Sequence, residues 1–404
     1  MKIAYITAKI PFGSQETFIL TEMLVLKRLA VDILIIPRDK SKRIFHKEAE
    51  SLLDDTLSIP WFDVKIFITL LKYIVSNTTQ FVMLLINIFF RARNVKVGFK
   101  NMIILPKALY ISKLLKKKSV SHIHAHWAST TSTMAYIISK VTGIPWSFTA
   151  HRWDIAEDNI LHEKCLTASF IRAINENGRN ELSGIIRDMT LEKKIQVIHM
   201  GTLLPTLEGN HRSPSNEFTV ICPANFVHVK GHKYLFKACH ILVKRGVSFR
   251  CLVAGDGPLE NELKRFVNDL NLNSHIKFLG RLPHDTLLDL YHKGSVHAVV
   301  LPSVTTENNE KEGIPVALIE AMAFGIPVIS TKTGGIPELI AHEGGIMVEE
   351  KNSTSIANAI EKLSNDGRYY SCVGKEGRKK VERDFNIVSI TETLAYLFSQ
   401  NGLK

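Results

Sequence analysis

Apolar positions along the chain fall into short continuous runs, separated by stretches in which they recur every three or four residues. Lys2–Thr7 is a nearly uninterrupted apolar run. Gln15–Leu29 then sets Phe18, Met23, Leu26 and Leu29 on one helical face. Val31–Ile36 reads as the next strand. His122–Ala125 and Trp146–Thr149 read as strands flanking a helix near Ser129–Val141, and Phe170–Asn175 and Gln196–His199 complete the first half. Strands that are apolar throughout and alternate with helices specify a parallel sheet covered on both faces.

The pattern breaks over 201–216, where Gly, Pro, Ser and Asn cluster without periodicity, and then restarts. Strands are predicted at Phe218–Pro223, Phe249–Ala254, Ile276–Leu279, Val296–Leu301 and Pro327–Ser330. Helices are predicted near 231–245, 258–271, 284–293 and 315–324, with a last helix over Ile387–Ser399. The 404 residues exceed one ordinary core. The expectation is an α/β protein with two Rossmann-like, doubly wound domains, 1–205 and 217–385, joined by a linker at 206–216 and followed by a C-terminal segment at 386–404. Two such domains in series leave a cleft, and ligands of such sheets bind beyond the carboxyl ends of the strands.

Charge changes the picture in the first half only. Residues 1–200 hold 28 Lys and Arg against 17 Asp and Glu, whereas 201–404 hold 23 against 22. Residues 91–118 carry nine basic residues and no acid, directly after the apolar stretch 64–90. That juxtaposition suits an anionic membrane surface; a buried helix pair with a solvated lysine face is the other reading. No nucleic-acid recognition motif accompanies the charge, so nucleic acid is not an expected partner. The apolar run at the N-terminus is too short for a signal peptide. No charge-free apolar stretch reaches the roughly 18 residues of a spanning helix. The five cysteines are scattered without CxxC spacing, as for buried thiols in a reducing compartment. A cytoplasmic location is expected, peripheral on the inner face of the plasma membrane if 64–118 meets lipid.

The densest chemical signal is Glu312-Gly313-Ile314-Pro315-Val316-Ala317-Leu318-Ile319-Glu320, followed by Ala321–Phe324, Gly325 and an apolar run. It reads as loop, helix, tight turn and strand. Pro315 fits the first helical turn, where a missing N–H costs nothing. Free amides at a helix start favour an anion such as a diphosphate. Two acids two helical turns apart are then available for sugar and ribose hydroxyls.

The segment resembles the Glu-x7-Glu signature of retaining glycosyltransferase family four, in particular its exopolysaccharide and colanic-acid-type members. The neighbouring Ala254-Gly255-Asp256-Gly257-Pro258, Phe278-Leu279-Gly280-Arg281, Leu301-Pro302-Ser303 and Thr333-Gly334-Gly335-Ile336-Pro337-Glu338 agree with it. The resemblance implies the GT-B fold, a UDP- or GDP-sugar donor and no metal or other cofactor. It also implies that the C-terminal segment crosses back to the first domain. It assigns the donor sugar to Glu312, the ribose to Glu320, and the diphosphate to Lys230 in Val229-Lys230-Gly231-His232. Gly255, Arg281, Ser303, Gly313, Ile314, Val316 and Ala317 complete the implied donor site. Where the family usually has Arg, five positions before the lysine, this chain has Asn225. That loss of a charge puts rate or donor identity in question.

In the first half, Phe148–Asp154 resembles the segment whose His, here His151, faces the donor sugar. Pro11–Phe18 resembles the family's first loop, with Gly13 letting backbone approach donor or acceptor. His124 and His126 share one face of a strand, but no Cys, Asp or Glu stands at ligand spacing, so a structural or acceptor-side role is expected rather than a metal. The implied activity is retaining transfer of a hexose to a saccharide acceptor carried on a lipid, in bacterial surface polysaccharide synthesis. A non-catalytic nucleotide-sugar-binding protein and a GT-B sugar epimerase are the alternatives.

Overall fold

The computed structural model describes residues 1–12, 16–39, 44, 46–207, 217–340 and 344–401. Gly13 and the linker positions 208–216 lie outside the described residues. The contacts divide the chain into two units, Met1–Met200 with Ile387–Lys404, and Gly201–Asn386.

The first unit is built on six parallel strands: β1 (Lys2–Thr7), β2 (Asp32–Pro37), β3 (His122–His126), β4 (Trp146–Ala150), β5 (Phe170–Ala173) and β6 (Ile195–Val197). Their order is β2-β1-β3-β4-β5-β6. Alternate residues of the apolar runs serve opposite faces. Ile3, Tyr5, Ile33 and Ile35 enter one core, and Ala4, Ile6, Leu34 and Ile36 enter the other. Register is fixed pairwise, with Ile3 opposite Ile33 and Tyr5 opposite His124. Helix Thr17–Arg28 and the C-terminal helix Ile387–Asn401 cover the first face, the latter through Ile387, Ile390, Leu394 and Phe398.

The basic, apolar segment forms helices Val64–Ser76 and Thr78–Leu85, a π turn at Ile86–Phe90, and helix Val95–Leu115. The last of these buries Ile104, Leu105, Ala108, Leu109, Ile111 and Leu115 against the other face of the sheet.

The second unit has strands β7 (Phe218–Pro223), β8 (Phe249–Ala254), β9 (Ile276–Gly280), β10 (Ala298–Leu301), β11 (Val328–Thr331) and β12 (Ile346–Val348). All are parallel, in the order β12-β11-β10-β7-β8-β9. The order reverses between β7 and β10, which makes the ends of those two strands the place where a ligand crevice opens.

Two features of this unit have no counterpart in the apolar pattern. Strand β12 is only three residues long. The eighteen-residue helix Gly367–Asp384 is mostly polar, and glycines rather than a broad apolar stripe seat it. A β-carbon at Gly374 would collide with the carbonyl of Gly325, and one at Gly377 would press the carbonyl of Gly344.

Candidate active site

In the second unit, loops after five strands converge. After β7, Asn225 stands exposed and Phe226 turns inward. A single 3-10 turn, His228–Lys230, then brings Lys230 to the sheet end. Gly231 follows at φ 65°, and a side chain there would strike the carbonyl of Pro302 beyond β10. Only glycine lets the two loops flanking the topological switch touch. Val304 N–H donates to Val229 O at 2.9 Å and closes the same seam.

The loop after β8 locks onto the one after β7. Gly255 lies against the carbonyl of Ala224, and Phe226 N–H donates to Asp256 O at 2.7 Å. Gly255 N–H donates in turn to Gly280 O at 2.9 Å, which ties in the end of β9. Arg281 follows there, its guanidinium 4.0 Å from the Asp256 carboxylate. Ser303, just after β10, is fully buried, and its hydroxyl has no hydrogen-bond partner among the described residues.

Glu312 meets Lys230 across this group of loops. Lys230 Nζ lies 2.5 Å from Glu312 Oε2. Both side chains keep some exposure, 19% and 15%. Glu312 Oε2 is buried and, apart from this ion pair, has no hydrogen-bond donor among the described residues. The backbone of Glu312 is held by the segment after β11. Gly335 N–H donates to Glu312 O at 3.1 Å, and Gly334 (φ 55°) packs so closely on that carbonyl that any β-carbon would collide with it.

Gly313 and Ile314 lead into helix Val316–Ala323, whose N-cap is Pro315. Pro315 thus sits one residue earlier than the first-turn position expected from sequence. Val316 and Ala317 occupy the first turn, where amides have no intrahelical acceptor. Glu320, nearly buried, lies 2.8 Å from His284 Nε2. His284 opens helix His284–His292 and carries no motif that marks it in the sequence.

His151 belongs to the first unit. It follows β4 and caps the short helix Arg152–Glu157, while Asp154 Oδ1 accepts from His151 N–H at 2.8 Å. The other oxygen of Asp154 accepts from Ala128 N–H at 2.6 Å, and buried Lys164 donates to Ala128 O and Ser129 O at 2.8 Å each. These bonds fasten the ends of β3 and β4 together. Trp127 sits between them at φ 80°, a conformation costly for a bulky residue. It is held by its indole N–H donating to Glu16 Oε1 at 2.6 Å and by its ring 4.3 Å from that of His151.

A buried polar chain runs inward from His151. His151 Nε2 contacts His126 Nε2 at 2.9 Å, and His126 Nδ1 contacts Tyr5 OH at 3.2 Å. Tyr5 donates to Glu22 Oε1 at 2.5 Å, and Arg172 pairs with Glu22 Oε2 at 2.5 Å. His124, considered above with His126, bonds Ser147 Oγ at 2.8 Å and Thr149 Oγ1 at 3.0 Å. Among the described residues no group of three His, Cys, Asp or Glu is placed to hold a metal ion.

Burial, and secondarily the Arg172 charge, lowers the His151 ring to about 3, so it acts as a neutral hydrogen-bonding group at physiological pH. Burial likewise lowers His122 to about 3 and holds His124 and His126 well below the ordinary value of 6.5. Unfolded, these rings take up protons near 6.5. Between that pH and about 3 the unfolded state binds more protons, so stability is lost as pH falls. Asp154, pushed up to about 7 by burial, opposes this, because its contribution weakens as pH rises from 3.8 towards 7. Four rings outweigh one acid. Fully buried His122 alone costs about 2 kcal/mol at pH 5 relative to pH 7. Urea unfolding is therefore expected to show the first unit's midpoint dropping steeply from pH 7.5 to pH 5. An unchanged midpoint would contradict the buried, neutral state of these rings.

Comparison with known proteins places this geometry. Residues 205–380 match the family model of glycosyl transferases group 1. The matched span contains Lys230, Glu312 and Glu320. The chain is 35% identical over 208 residues to a putative colanic acid biosynthesis glycosyltransferase, WcaL, of Escherichia coli K12, covering 51% of each. It is 34% identical over 196 residues to the amylovoran biosynthesis glycosyltransferase AmsK of Erwinia amylovora, covering 48% of each. The chain spans about half the length of the curated relatives it matches. A crystal structure of Anabaena Alr3699/HepE in complex with UDP aligns over 99% of this chain and 100% of that one, with a TM-score of 0.69 at 16% identity. The two units are thus the Rossmann-like domains of the GT-B fold, as the sequence pattern and the family resemblance led us to expect.

Proposed function

We propose that the chain is a retaining glycosyltransferase that moves a hexose from a UDP- or GDP-sugar to a saccharide acceptor carried on a lipid, in bacterial surface polysaccharide synthesis. The observation that carries this reading is the Lys230–Glu312 pair at the topological switch of the group 1 domain. The relatives named for colanic acid and amylovoran biosynthesis, and the neighbour crystallised with UDP, support it.

In this reading Lys230 and the amides of the Val316 turn stabilise the departing diphosphate. The bond from the anomeric carbon to the phosphate oxygen breaks, and its electron pair stays on the phosphate. The acceptor oxygen bonds the carbon on the same face, and its proton passes to the departing phosphate. No carboxylate base is then needed. Glu312 holds the sugar hydroxyls and fixes Lys230, Glu320 holds the ribose, and neutral His151 hydrogen-bonds a sugar hydroxyl. Asn225, Gly255, Arg281 and Ser303 shape the nucleotide side. Gly13 is assigned to the same site by resemblance alone and lies outside the described residues.

Thermal unfolding with a panel of UDP- and GDP-sugars tests the reading. A donor at a hundred times its Kd adds about 2.7 kcal/mol, a rise of roughly 5–10 °C for a unit of this size. Only a matching donor is expected to give it, with UDP or GDP released on adding lipid-linked saccharide. Protection by no nucleotide sugar would overturn the assignment, and protection without release would favour a non-catalytic binding protein.

A further inference from the structure

Residues 64–153 contain no Asp or Glu at all, yet hold thirteen Lys and Arg. The same region carries most of the exposed apolar surface. Of 23 exposed large apolar side chains among the described residues, 13 lie between Val64 and Trp153, and all but Trp153 of these between Val64 and Ile103.

They are ordered rather than scattered. On helix Val64–Ser76, the exposed Val64, Ile68, Leu71 and Val75 recur at helical spacing and form one stripe. Val95, Phe99 and Ile103 form a second on helix Val95–Leu115. No single helix among the described residues is long and apolar enough to cross a membrane. Val64–Ser76 and Thr78–Phe90 reach that composition only together, and they are bent by 109°. Such a bend suits helices lying in an interface rather than through a bilayer.

Beside the first stripe runs a surface cleft. Thr69, Lys72, Ser76 and Gln80 line one side of it, and Lys113 and Lys116 the other. Helical spacing puts Lys72 on the flank between the apolar stripe and the cleft. Arg91 and Lys100 of this region are paired with Glu163 and Glu157, whereas none of the three cleft lysines has a carboxylate partner among the described residues.

We propose that this cleft seats the phosphate of an anionic lipid headgroup while the Val64–Val75 stripe enters the outer acyl layer of the bilayer. Three uncompensated ammonium groups supply the charge complement to a phosphate, and the Ser76 hydroxyl adds a donor, whereas the Thr69 hydroxyl and the Gln80 amide already donate to Lys65 O and Lys140 O. The lysine stems lie along the apolar helix and put their heads at headgroup depth. The inference deepens the acceptor side of the proposed function, but its test needs no sugar transfer.

The full chain is mixed with phosphatidylcholine vesicles, with and without 30% (roughly, a typical anionic fraction) phosphatidylglycerol, and floated on a density gradient. Binding to the anionic vesicles only is expected. Lys72→Gln/Lys113→Gln/Lys116→Gln should weaken it about a hundredfold. Lys264→Gln/Lys293→Gln/Lys379→Gln, which lowers net charge equally but elsewhere, should leave it unchanged. Leu71→Ser/Val75→Ser should also release the protein. Displacement by millimolar-scale inorganic phosphate (on the order of the headgroup charge present) would show a free-anion site instead. A dimer in solution that Leu71→Ser/Val75→Ser dissociates would show a second copy on this face. Either result overturns the proposal, as does anionic binding that survives the cleft triple variant. Donor protection of the unit containing Lys230, measured on the same variants, separates failure here from failure of the transferase reading.

Discussion

Sugar transfer by Glu312→Ala is expected to vanish while the fold persists, and Lys230→Met is expected to lower turnover about a hundred- to a thousandfold. The two side chains meet at 2.5 Å and both remain partly exposed. Neither change therefore leaves a fully buried charge unpaired, and circular dichroism and the melting temperature should stay near those of the parent. On the proposed mechanism, Lys230→Met removes the ammonium assigned to the departing diphosphate. On the same reading Glu312→Ala removes the acceptor assigned to the sugar hydroxyls, and it also frees the Lys230 ammonium from its anchor. Because the two act through one contact, their effects should not add. The double variant should transfer no less than Glu312→Ala alone, rather than show the product of the two losses. Single-turnover rates at saturating donor measure this directly. A Glu312→Ala protein with parental transfer would sink the assignment of the group 1 domain as catalytic.

How much of this was legible in the sequence follows from how local each determinant is. Strands β1, β7 and β8 are found at the residues that their apolar runs delimit. Their periodicity is a property of six consecutive side chains. Strand β12 is too short to carry a period, and helix Gly367–Asp384 packs through glycines where a pattern reader looks for leucines. The same division holds at the site. Lys230, Glu312 and the Val316 turn are written in compact motifs that resemble a known family. His284 against Glu320 is not, since the two stand 36 positions apart and His284 looks like any surface helix start. Gly334 lies within a motif quoted for resemblance, but its task of cradling the Glu312 carbonyl becomes visible only when the chain has folded. His126 is expected from sequence to serve a structural or acceptor-side role, but the partners of its ring, Tyr5 and His151, stand far off in sequence and cannot be named from it.

Arg172→Met is expected to destabilise the first unit by about 3–5 kcal/mol and to move the titration of His151 upward. Arg172 and Glu22 are separated by 150 positions, and both side chains are wholly shielded from solvent. Each guanidinium nitrogen is engaged, since besides Glu22 the group donates to Ile198 O at 2.8 Å and His199 O at 2.5 Å. Without it the Glu22 carboxylate keeps, among the described residues, only the Tyr5 hydroxyl, and the Ile198 and His199 carbonyls lose the Arg172 donors. A unit of this size melts roughly 2–4 °C lower per kcal/mol, so a fall of about 6–20 °C is the outcome to look for. Glu22→Gln/Arg172→Met removes the stranded charge as well and should recover part of the loss, because a neutral pair is cheaper to bury than one ion. The second readout separates electrostatics from packing. The Arg172 charge, after burial, is what holds His151 low. Proton NMR of the imidazole should therefore show His151 taking up its proton at higher pH in Arg172→Met than in the parent. A variant that melts with the parent, or whose His151 titrates unchanged, would mean that the Arg172–Glu22–Tyr5–His126 chain does not reach His151.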